Sequence, residues 1–239
     1  MTLRFDRPTY TRPAHEILGA FPAPQPFPAQ PPLPTLVVPN PMPRVEHPID
    51  EPLVPIAHRR IRKLGNYFHA GWQRARPEML LRVDASARLN QVADSLPDGF
   101  GLAVFDAWRP LDLQAELYQA AYGTPGLPDG FVSPPDEDPT TPPPHLTGGT
   151  VDLTLTFDGT PLAPGAGFDD FTDRAATAAL EGTPGIDRDV RRLLYWAMRA
   201  QGFVVLDCEW WHFEFGTRRW AALTGNAPLY GPAAPPPPV

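Results

Sequence analysis

Two short segments of the sequence bring histidine near a carboxylate, a combination that binds transition metals. The first is the run His-Leu-Thr-Gly-Gly-Thr-Val-Asp, from His145 to Asp152. Its two glycines allow the chain to turn back tightly, so both side chains could converge on one point. Zinc and similar ions accept imidazole nitrogen and carboxylate oxygen together. Alone, this spacing is a weak signal, because chance His/Asp pairs are common.

The second segment is Glu209-Trp210-Trp211-His212. In an ideal strand the side chains of Glu209 and His212 point to opposite faces, but a bulge or a strand end would let both reach one cleft. The alternative is an aromatic core strand with a polar edge. Glu209 argues against it, because carboxylates are rarely buried without a partner. We interpret the neighbouring Cys208 as core packing.

A third segment with polar side chains, Asp106-Ala107-Trp108-Arg109-Pro110, stands at the end of an apolar run. A residue before proline favours an extended conformation, so the Arg109 guanidinium could project from the end of a strand. The alternative is a surface arginine paired with Asp112 or Glu116. The remaining histidines are interpreted as solvated or structural: His15, His47, His58 and His69.

The composition excludes several classes of protein. The chain has 239 residues and a net charge of −7, whereas proteins that bind nucleic acids or anionic membranes are basic. One cysteine excludes an intrachain disulfide and a cysteine-rich zinc module. No apolar run reaches the roughly 18 residues of a transmembrane helix, and the N-terminus lacks the apolar stretch of about 7–15 residues of a secretory signal. We therefore expect a cytoplasmic protein with neither nucleic-acid nor membrane partners; the sequence does not fix its oligomeric state.

Hydrophobic spacing indicates the elements that must position these groups. It predicts helices over 78–96, 111–122 and 188–201, the last with Asp187 as N-cap, and strands over 99–108, 150–158 and 203–215. Apolar and polar residues alternate along 150–158, which favours a half-buried strand. Regular βαβ alternation is absent. We therefore predict an α+β fold with an antiparallel central sheet flanked by helices.

Proline divides the chain unevenly, since residues 1–55 hold 15 of the 35 prolines. Proline fixes φ and removes backbone donors, so this stretch is predicted to be extended. It also carries apolar residues such as Phe27 and Leu33, so we expect it to lie along the surface of the domain. The predicted organisation is a proline-rich arm over 1–50, a domain over 51–230 and a disordered tail over 231–239.

Together the segments resemble the zinc D-alanyl-D-alanine dipeptidases of the vancomycin-resistance type, which belong to the zinc D,D-peptidases with a hedgehog-like fold. The family pattern Ser-x-His-x-x-Gly-x-Ala-x-Asp is similar to residues 143–152, and its Glu-Trp-Trp-His block is intact at 209–212. Its Asp-Gly-Tyr-Arg-Pro block resembles 106–110, and its Gly-x-x-Phe-Asp segment resembles the start of 165–175. The resemblance runs from about 79 to 215.

The resemblance implies roles for the residues that match. His145, Asp152 and His212 would hold one Zn²⁺ per chain. Glu209 would be the general base and acid, and Arg109 would stabilise the oxyanion.

The resemblance also implies how substrate would bind. Asp169 would face its free ammonium group, and Trp211 would contribute to substrate binding, with both tryptophans walling the site. Two departures bear on specificity: Pro143 replaces the family serine implicated in substrate binding, and Thr150 replaces its alanine.

The function implied is zinc-dependent hydrolysis of D-amino dipeptides, most of all D-Ala-D-Ala. One alternative is a zinc D,D- or L,D-carboxypeptidase acting on peptidoglycan stem peptides. Another is a non-catalytic zinc-binding protein whose proline-rich arm recruits a partner. The presence of Glu209 counts against the second alternative, since a purely structural zinc needs no base.

Overall fold

The computed structural model describes residues 11–21, 27–37, 39–123 and 131–234. The helices are α1 (Ala14–Gly19), α2 (Asn66–Ala70), α3 (Val83–Ser95), α4 (Leu111–Tyr122), α5 (Ile186–Ala200) and α6 (Arg218–Thr224), with 3-10 turns at Pro144–Thr147 and Asp173–Ala175. The strands are β1 (Arg12–Pro13), β2 (Leu53–Pro55), β3 (Ile61–Lys63), β4 (Leu80–Arg82), β5 (Phe100–Asp106), β6 (Thr150–Phe157), β7 (Thr160–Ala163), β8 (Val204–Val205) and β9 (His212–Glu214).

Strand β6 organises a seven-stranded sheet. It pairs antiparallel with β5 on one side, and on the other with β9 at its start and β7 at its end. The register sets Asp152 opposite both Asp106 and His212. The outer pairs β1–β7 and β3–β5 are parallel. The predicted α+β class with an antiparallel centre is confirmed, and its outer strands make the sheet mixed.

The expectation that β6 is half-buried is wrong, because all eight of its residues are buried. Two of its polar positions, Thr154 and Asp152, face polar groups inside the protein. The Thr154 hydroxyl donates to the carbonyl of Leu162 at 2.7 Å, and Asp152 faces two histidines. Alternation along a strand therefore did not mark a solvated face here.

The long strand expected over 203–215 is a hairpin instead. Strands β8 and β9 pair antiparallel, and the amide of Leu206 donates to the carbonyl of His212 at 3.0 Å. The loop between them contains both tryptophans, which are buried. Because this loop has neither glycine nor proline, its sequence carries only a weak turn signal.

Two helices begin at residues other than those predicted. The helix expected over 78–96 begins at Val83, because Leu80–Arg82 pairs with Leu53–Pro55 as a strand. Helix α5 begins at Ile186 with Gly185 as its N-cap. Asp187 lies in the first turn, where its carboxylate accepts hydrogen bonds from the backbone and ring nitrogens of His15.

The proline-rich segment lies against the sheet and α5. Phe27 packs edge-on against Phe100 at 5.4 Å between ring centroids, within the range of about 4.5–7 Å typical of aromatic pairs. The indole nitrogen of Trp196 donates to the carbonyl of Pro31 at 2.9 Å. At the other end, Ala233 is buried and its amide donates to the carbonyl of Leu146. The expected disorder therefore does not apply to 231–234, while 235–239 lie outside the described residues.

Candidate functional site

His145 lies in the 3-10 turn before β6 and is buried. Gly148 ends this turn at φ 75°, and a Cβ there would meet Leu53 at 2.4 Å, so the turn requires glycine. His145 Nδ1 lies 2.7 Å from the carbonyl oxygen of Ala107. Because a carbonyl only accepts, Nδ1 donates to it, and Nε2 is the nitrogen that faces the cluster. Nε2 lies 3.2 Å from Oδ2 of Asp152.

His212 meets Asp152 across the β6–β9 register. Its Nδ1 lies 3.0 Å from Asp152 Oδ1, yet within the described part of the chain this buried oxygen has no hydrogen bond of acceptable geometry. The ligand atoms of His145, Asp152 and His212 all lie within 4.8 Å of one another. Two imidazoles and an unsatisfied carboxylate oxygen facing a common point fit a bound zinc ion.

Glu214 holds the outer side of His212. Its Oε1 lies 3.1 Å from His212 Nε2 and also accepts from Nε of Arg219 at 3.1 Å. The hydroxyl of Thr217 donates to its other oxygen. Burial raises the pKa of Glu214, but the bond from His212 and nearby positive charge outweigh it, so its pKa lies below the ordinary value. Such a carboxylate fixes the orientation of a ligating histidine.

Sequence reasoning missed Glu214, although a signal was present. Residues two apart on a strand share a face. His212 and Glu214 therefore point to the same side of β9.

Glu209 lies in the loop between β8 and β9. The amide of His212 donates to the carbonyl of Glu209 at 3.2 Å, and the amide of Trp210 donates to Ala175 at 3.0 Å. This turn brings Glu209 Oε2 to 3.7 Å from His212 Nδ1. Burial raises the pKa of Glu209 to about 7, with the charge of Asp152 adding to it. A carboxyl group with such a pKa can exchange protons near neutral pH.

Arg109 is buried beside the cluster, so the alternative of a surface arginine is wrong. Its Nε and Nη2 each lie 2.8 Å from Oδ2 of Asp106, and Nη1 donates to Gln114 at 2.8 Å. Nη2 lies 3.7 Å from Asp152 Oδ2, and the guanidinium stands 5.1 Å from the ring of Tyr67. A fixed positive charge therefore borders the cluster.

Asp169 lines the same cleft from the loop after β7. It has φ 55°, and its Oδ2 accepts a hydrogen bond from the hydroxyl of Tyr67 at 3.0 Å. Burial, together with the charges of Asp152 and Glu209, raises the pKa of Asp169 well above the ordinary value. Sequence reasoning missed Tyr67, which comes from the distant helix α2 and has no local motif.

The expected wall of tryptophans is not found. Trp211 is 1% exposed and packs in the core against Phe168 at 5.6 Å between centroids. Trp210 is also buried, and neither lines the described cleft. Because Phe168 precedes Asp169, Trp211 supports the loop that carries Asp169 rather than facing the cleft.

Arg191 fastens that loop to α5. It is 3% exposed and donates to the carbonyls of Pro164, Arg174 and Ala176 at 2.7–2.8 Å. Burial lowers the pKa of Arg191 to about 10. These carbonyls flank both ends of the loop. Arg191 therefore joins the two ends of the segment that presents Asp169 to the cleft, and Arg174 adds to this closure by donating to the carbonyl of Gly165.

Histidines interpreted as structural lie away from the cluster. His15 pairs with Asp187 and His58 with Asp94, each at 3.0–3.1 Å. Cys208 is half-buried, and burial raises the pKa of its thiol to about 12. It is therefore a poor thiolate nucleophile.

Comparison with known proteins identifies the family. Residues 72–224 match the peptidase M15 family model, described as D-ala-D-ala dipeptidase. The chain belongs to this family. It is thus a metallopeptidase of the dipeptidase type.

Two relatives of this family member carry the name D-alanyl-D-alanine dipeptidase. The one from Synechocystis is 29% identical over 208 residues, covering 72% of this chain and 84% of the relative. The one from Escherichia coli K12 is 35% identical over 145 residues, covering 60% of this chain and 69% of the relative.

A solved structure is more distantly similar. It is a mutant of the vancomycin-resistance D,D-pentapeptidase VanY from a VanB-type cassette, in complex with Zn(II). The two chains are 16% identical with a TM-score of 0.39, over 65% of this chain and 85% of that one. A likeness this remote adds nothing to the family assignment.

Among the described residues, no helix has the length and apolar character needed to span a bilayer. The cytoplasmic location stays a prediction.

Proposed function

We propose that this chain hydrolyses the peptide bond of free D-amino dipeptides, D-Ala-D-Ala first among them, with one zinc ion per chain. The observation that carries the proposal is one cleft containing His145, Asp152, Glu209, His212 and Asp169. The family match and the two dipeptidase relatives support the same reaction.

Three side chains would hold the ion: His145 through Nε2, His212 through Nδ1, and Asp152 through its carboxylate. When bound, zinc supplies a Lewis acid and lowers the pKa of water from about 15.7 towards about 7. Three protein ligands are typical of catalytic zinc, whereas structural zinc usually has four. This ligand number favours an enzyme over a non-catalytic zinc-binding protein.

Glu209 would move the protons of the reaction. Its carboxylate takes a proton from the attacking water at Oε2 and then delivers it to the amine that leaves. A pKa raised to about 7 suits both steps at neutral pH. Its position 3.7 Å from His212 Nδ1 puts the proton acceptor at the edge of the ligand set.

Arg109 and Asp169 would bind the two ends of the first residue. The charge of Arg109 stabilises negative charge that develops on the carbonyl oxygen, and a preorganised donor of this kind is worth about 10²–10³ in rate. Asp169 pairs with the free ammonium group, and Tyr67 holds its carboxylate in place at 3.0 Å.

A peptide panel tests the proposal. Purified protein with zinc restored is assayed with D-Ala-D-Ala, its N-acetyl form, L-Ala-L-Ala and a stem pentapeptide. We expect D-Ala-D-Ala to be hydrolysed with the highest kcat/KM. Preferred cleavage of the pentapeptide, or equal rates with the N-acetyl form, would instead favour the carboxypeptidase alternative.

Glu209→Gln tests the proposed base. Glutamine keeps the size of the side chain but cannot accept the proton, so turnover should fall by about 10²–10⁴ while zinc content stays at one per chain. Glu137→Gln is the matched control, since Glu137 is exposed. Turnover of the Glu209 variant within a few-fold of wild type would rule Glu209 out as the base.

A further inference from the structure

We infer that Arg219 binds the free C-terminal carboxylate of the substrate and so makes the enzyme select peptides whose leaving group is a free amino acid. The inference rests on the proposed function. It assigns a residue to the far end of the dipeptide, whose ammonium end is proposed to meet Asp169.

Arg219 lines the cleft beside Glu209 and His212. It comes from the first turn of α6, and its side chain is 16% exposed. Nε donates to Glu214 at 3.1 Å. Nη1 is buried without a hydrogen-bond partner in the described chain, and the Asp207 carboxylate is 3.9 Å from it. The guanidinium therefore has donors to spare.

The second arginine of the described cleft is differently placed. Arg109 already donates through Nε and Nη2 to Asp106 and through Nη1 to Gln114, so at most one N–H remains on each of its terminal nitrogens. A planar guanidinium binds a carboxylate best when two of its N–H groups are available. Arg219 meets this condition better than Arg109.

The position of Arg219 matches the chemistry of the leaving residue. In an α-amino acid the amine and the carboxylate are attached to the same carbon, so their binding groups must be neighbours. Glu209 is proposed to protonate that amine, and the charge of Arg219 acts on Glu209 from nearby. Glu209 would thus protonate the amine of the leaving residue, and Arg219 would bind its carboxylate.

The cleft also adjoins a second cavity on the Arg219 side. Arg219, Glu214, Ser133 and Pro144 line both spaces, and Pro143 and Arg218 line only the second. Pro143 offers neither a hydroxyl nor an N–H group. Among the residues that line both spaces, Arg219 carries the positive charge that an anionic group at this end requires.

A rival role for Arg219 is to orient Glu214 and, through it, His212. The two roles differ in what they do to peptides with and without a carboxylate. Loss of an orienting residue slows the hydrolysis of both peptides alike. Loss of a carboxylate ligand slows only the peptide that carries the charge.

The test compares D-Ala-D-Ala with its C-terminal amide in wild type, Arg219→Gln, Arg219→Lys and Arg199→Gln. We expect the ratio of kcat/KM for the acid to that for the amide to be about 10–100-fold higher in wild type than in Arg219→Gln. This is the size of effect that a charge-assisted hydrogen bond gives. The loss should fall on KM for the acid. Lysine should restore part of it, because it keeps the charge. Arg199, which is exposed on α5 and lines neither cavity, is the control and should leave the preference unchanged.

Comparison between variants cancels the different intrinsic reactivity of the two peptides. An equal loss for both peptides in Arg219→Gln, with the preference kept, would overturn the inference in favour of the orienting role. Zinc content of each variant is measured alongside.

Calorimetric binding of both peptides to the zinc-loaded Glu209→Gln protein gives the comparison without turnover. If the acid binds more tightly, and the added Arg219→Gln change removes that preference, the inference stands even where wild type hydrolyses neither peptide and the proposed function fails. Equal binding of acid and amide overturns it.

Discussion

His212 has a carboxylate facing each nitrogen of its ring. Asp152 lies 3.0 Å from Nδ1 and Glu214 lies 3.1 Å from Nε2. Burial alone would lower the pKa of His212, but these two carboxylates outweigh burial and raise it to about 10 in the metal-free protein. Below that pH the ring carries a proton that a metal ion must displace.

Zinc binding should therefore release protons. Between pH 6 and 8 the apparent zinc affinity is expected to rise about tenfold per pH unit for each proton displaced, because deprotonation of His212 favours the metal-bound form. Competition with a chelator across this range measures it. Glu214→Gln should weaken the dependence, since one of the two carboxylates is lost. A zinc affinity that does not change with pH would contradict the assignment of His212 as a ligand.

Local spacing indicated candidate residues only where the motif is local, and the ligand set and the roles came from the family resemblance. The pair His145 and Asp152 comes from one turn and strand, and Glu209 reaches His212 through one short loop. Tyr67 meets Asp169 from far along the chain. No spacing in the sequence encodes such a contact, because it depends on how the helix and the loop pack.

At the scale of elements, the predictions failed where strand pairing is non-local. The helix over 111–122 was predicted with its bounds, since its apolar spacing and the following Gly123 are local signals. By contrast, Leu80–Arg82 is a strand because Leu53–Pro55 pairs with it. The hairpin at 203–215 likewise depends on the pairing of β9 with β6.

The loop that carries Asp169 depends on Arg191. Arg191→Met leaves three carbonyls without their donor, so we expect about 2–4 kcal/mol of lost stability. KM for D-Ala-D-Ala should rise, because Asp169 is less well held, while zinc content stays unchanged. Denaturant unfolding and steady-state kinetics measure the two effects.

Arg199→Met is the control on the same helix, where the side chain is exposed. Its stability should change by no more than about 0.5 kcal/mol. If Arg191→Met changed neither the free energy of unfolding nor KM, the conformation of the loop would not depend on Arg191.

At the scale of the whole molecule, the proline-rich segment forms part of the core. Its apolar residues, which a pure linker would not need, indicated in the sequence that it lies on the domain. Phe27 is only 9% exposed and packs against Phe100. The path of the segment over the sheet and α5 was not predictable, because extended chain has no periodicity that selects a partner surface.

Phe27→Ala should destabilise the protein by about 3 kcal/mol, the lower end for a buried aromatic ring. The turnover number should not change, because Phe27 does not line the cleft. Thermal unfolding measures the effect, with Val37→Ala as control, since Val37 is 59% exposed. An unchanged melting temperature would mean that the segment contributes nothing to the stability of the domain.

The pairing of β9 with β6 also has a consequence for biosynthesis. A ribosome makes His145 and Asp152 well before it makes His212, and β6 cannot gain β9 until that later segment has left the exit tunnel. The nascent chain thus holds only two of the three candidate ligands while the 60 residues from Asp152 to His212 are made. A metal ion that needs all three ligands would be captured late, and catalytic competence would arise only when the last part of the sheet has been added.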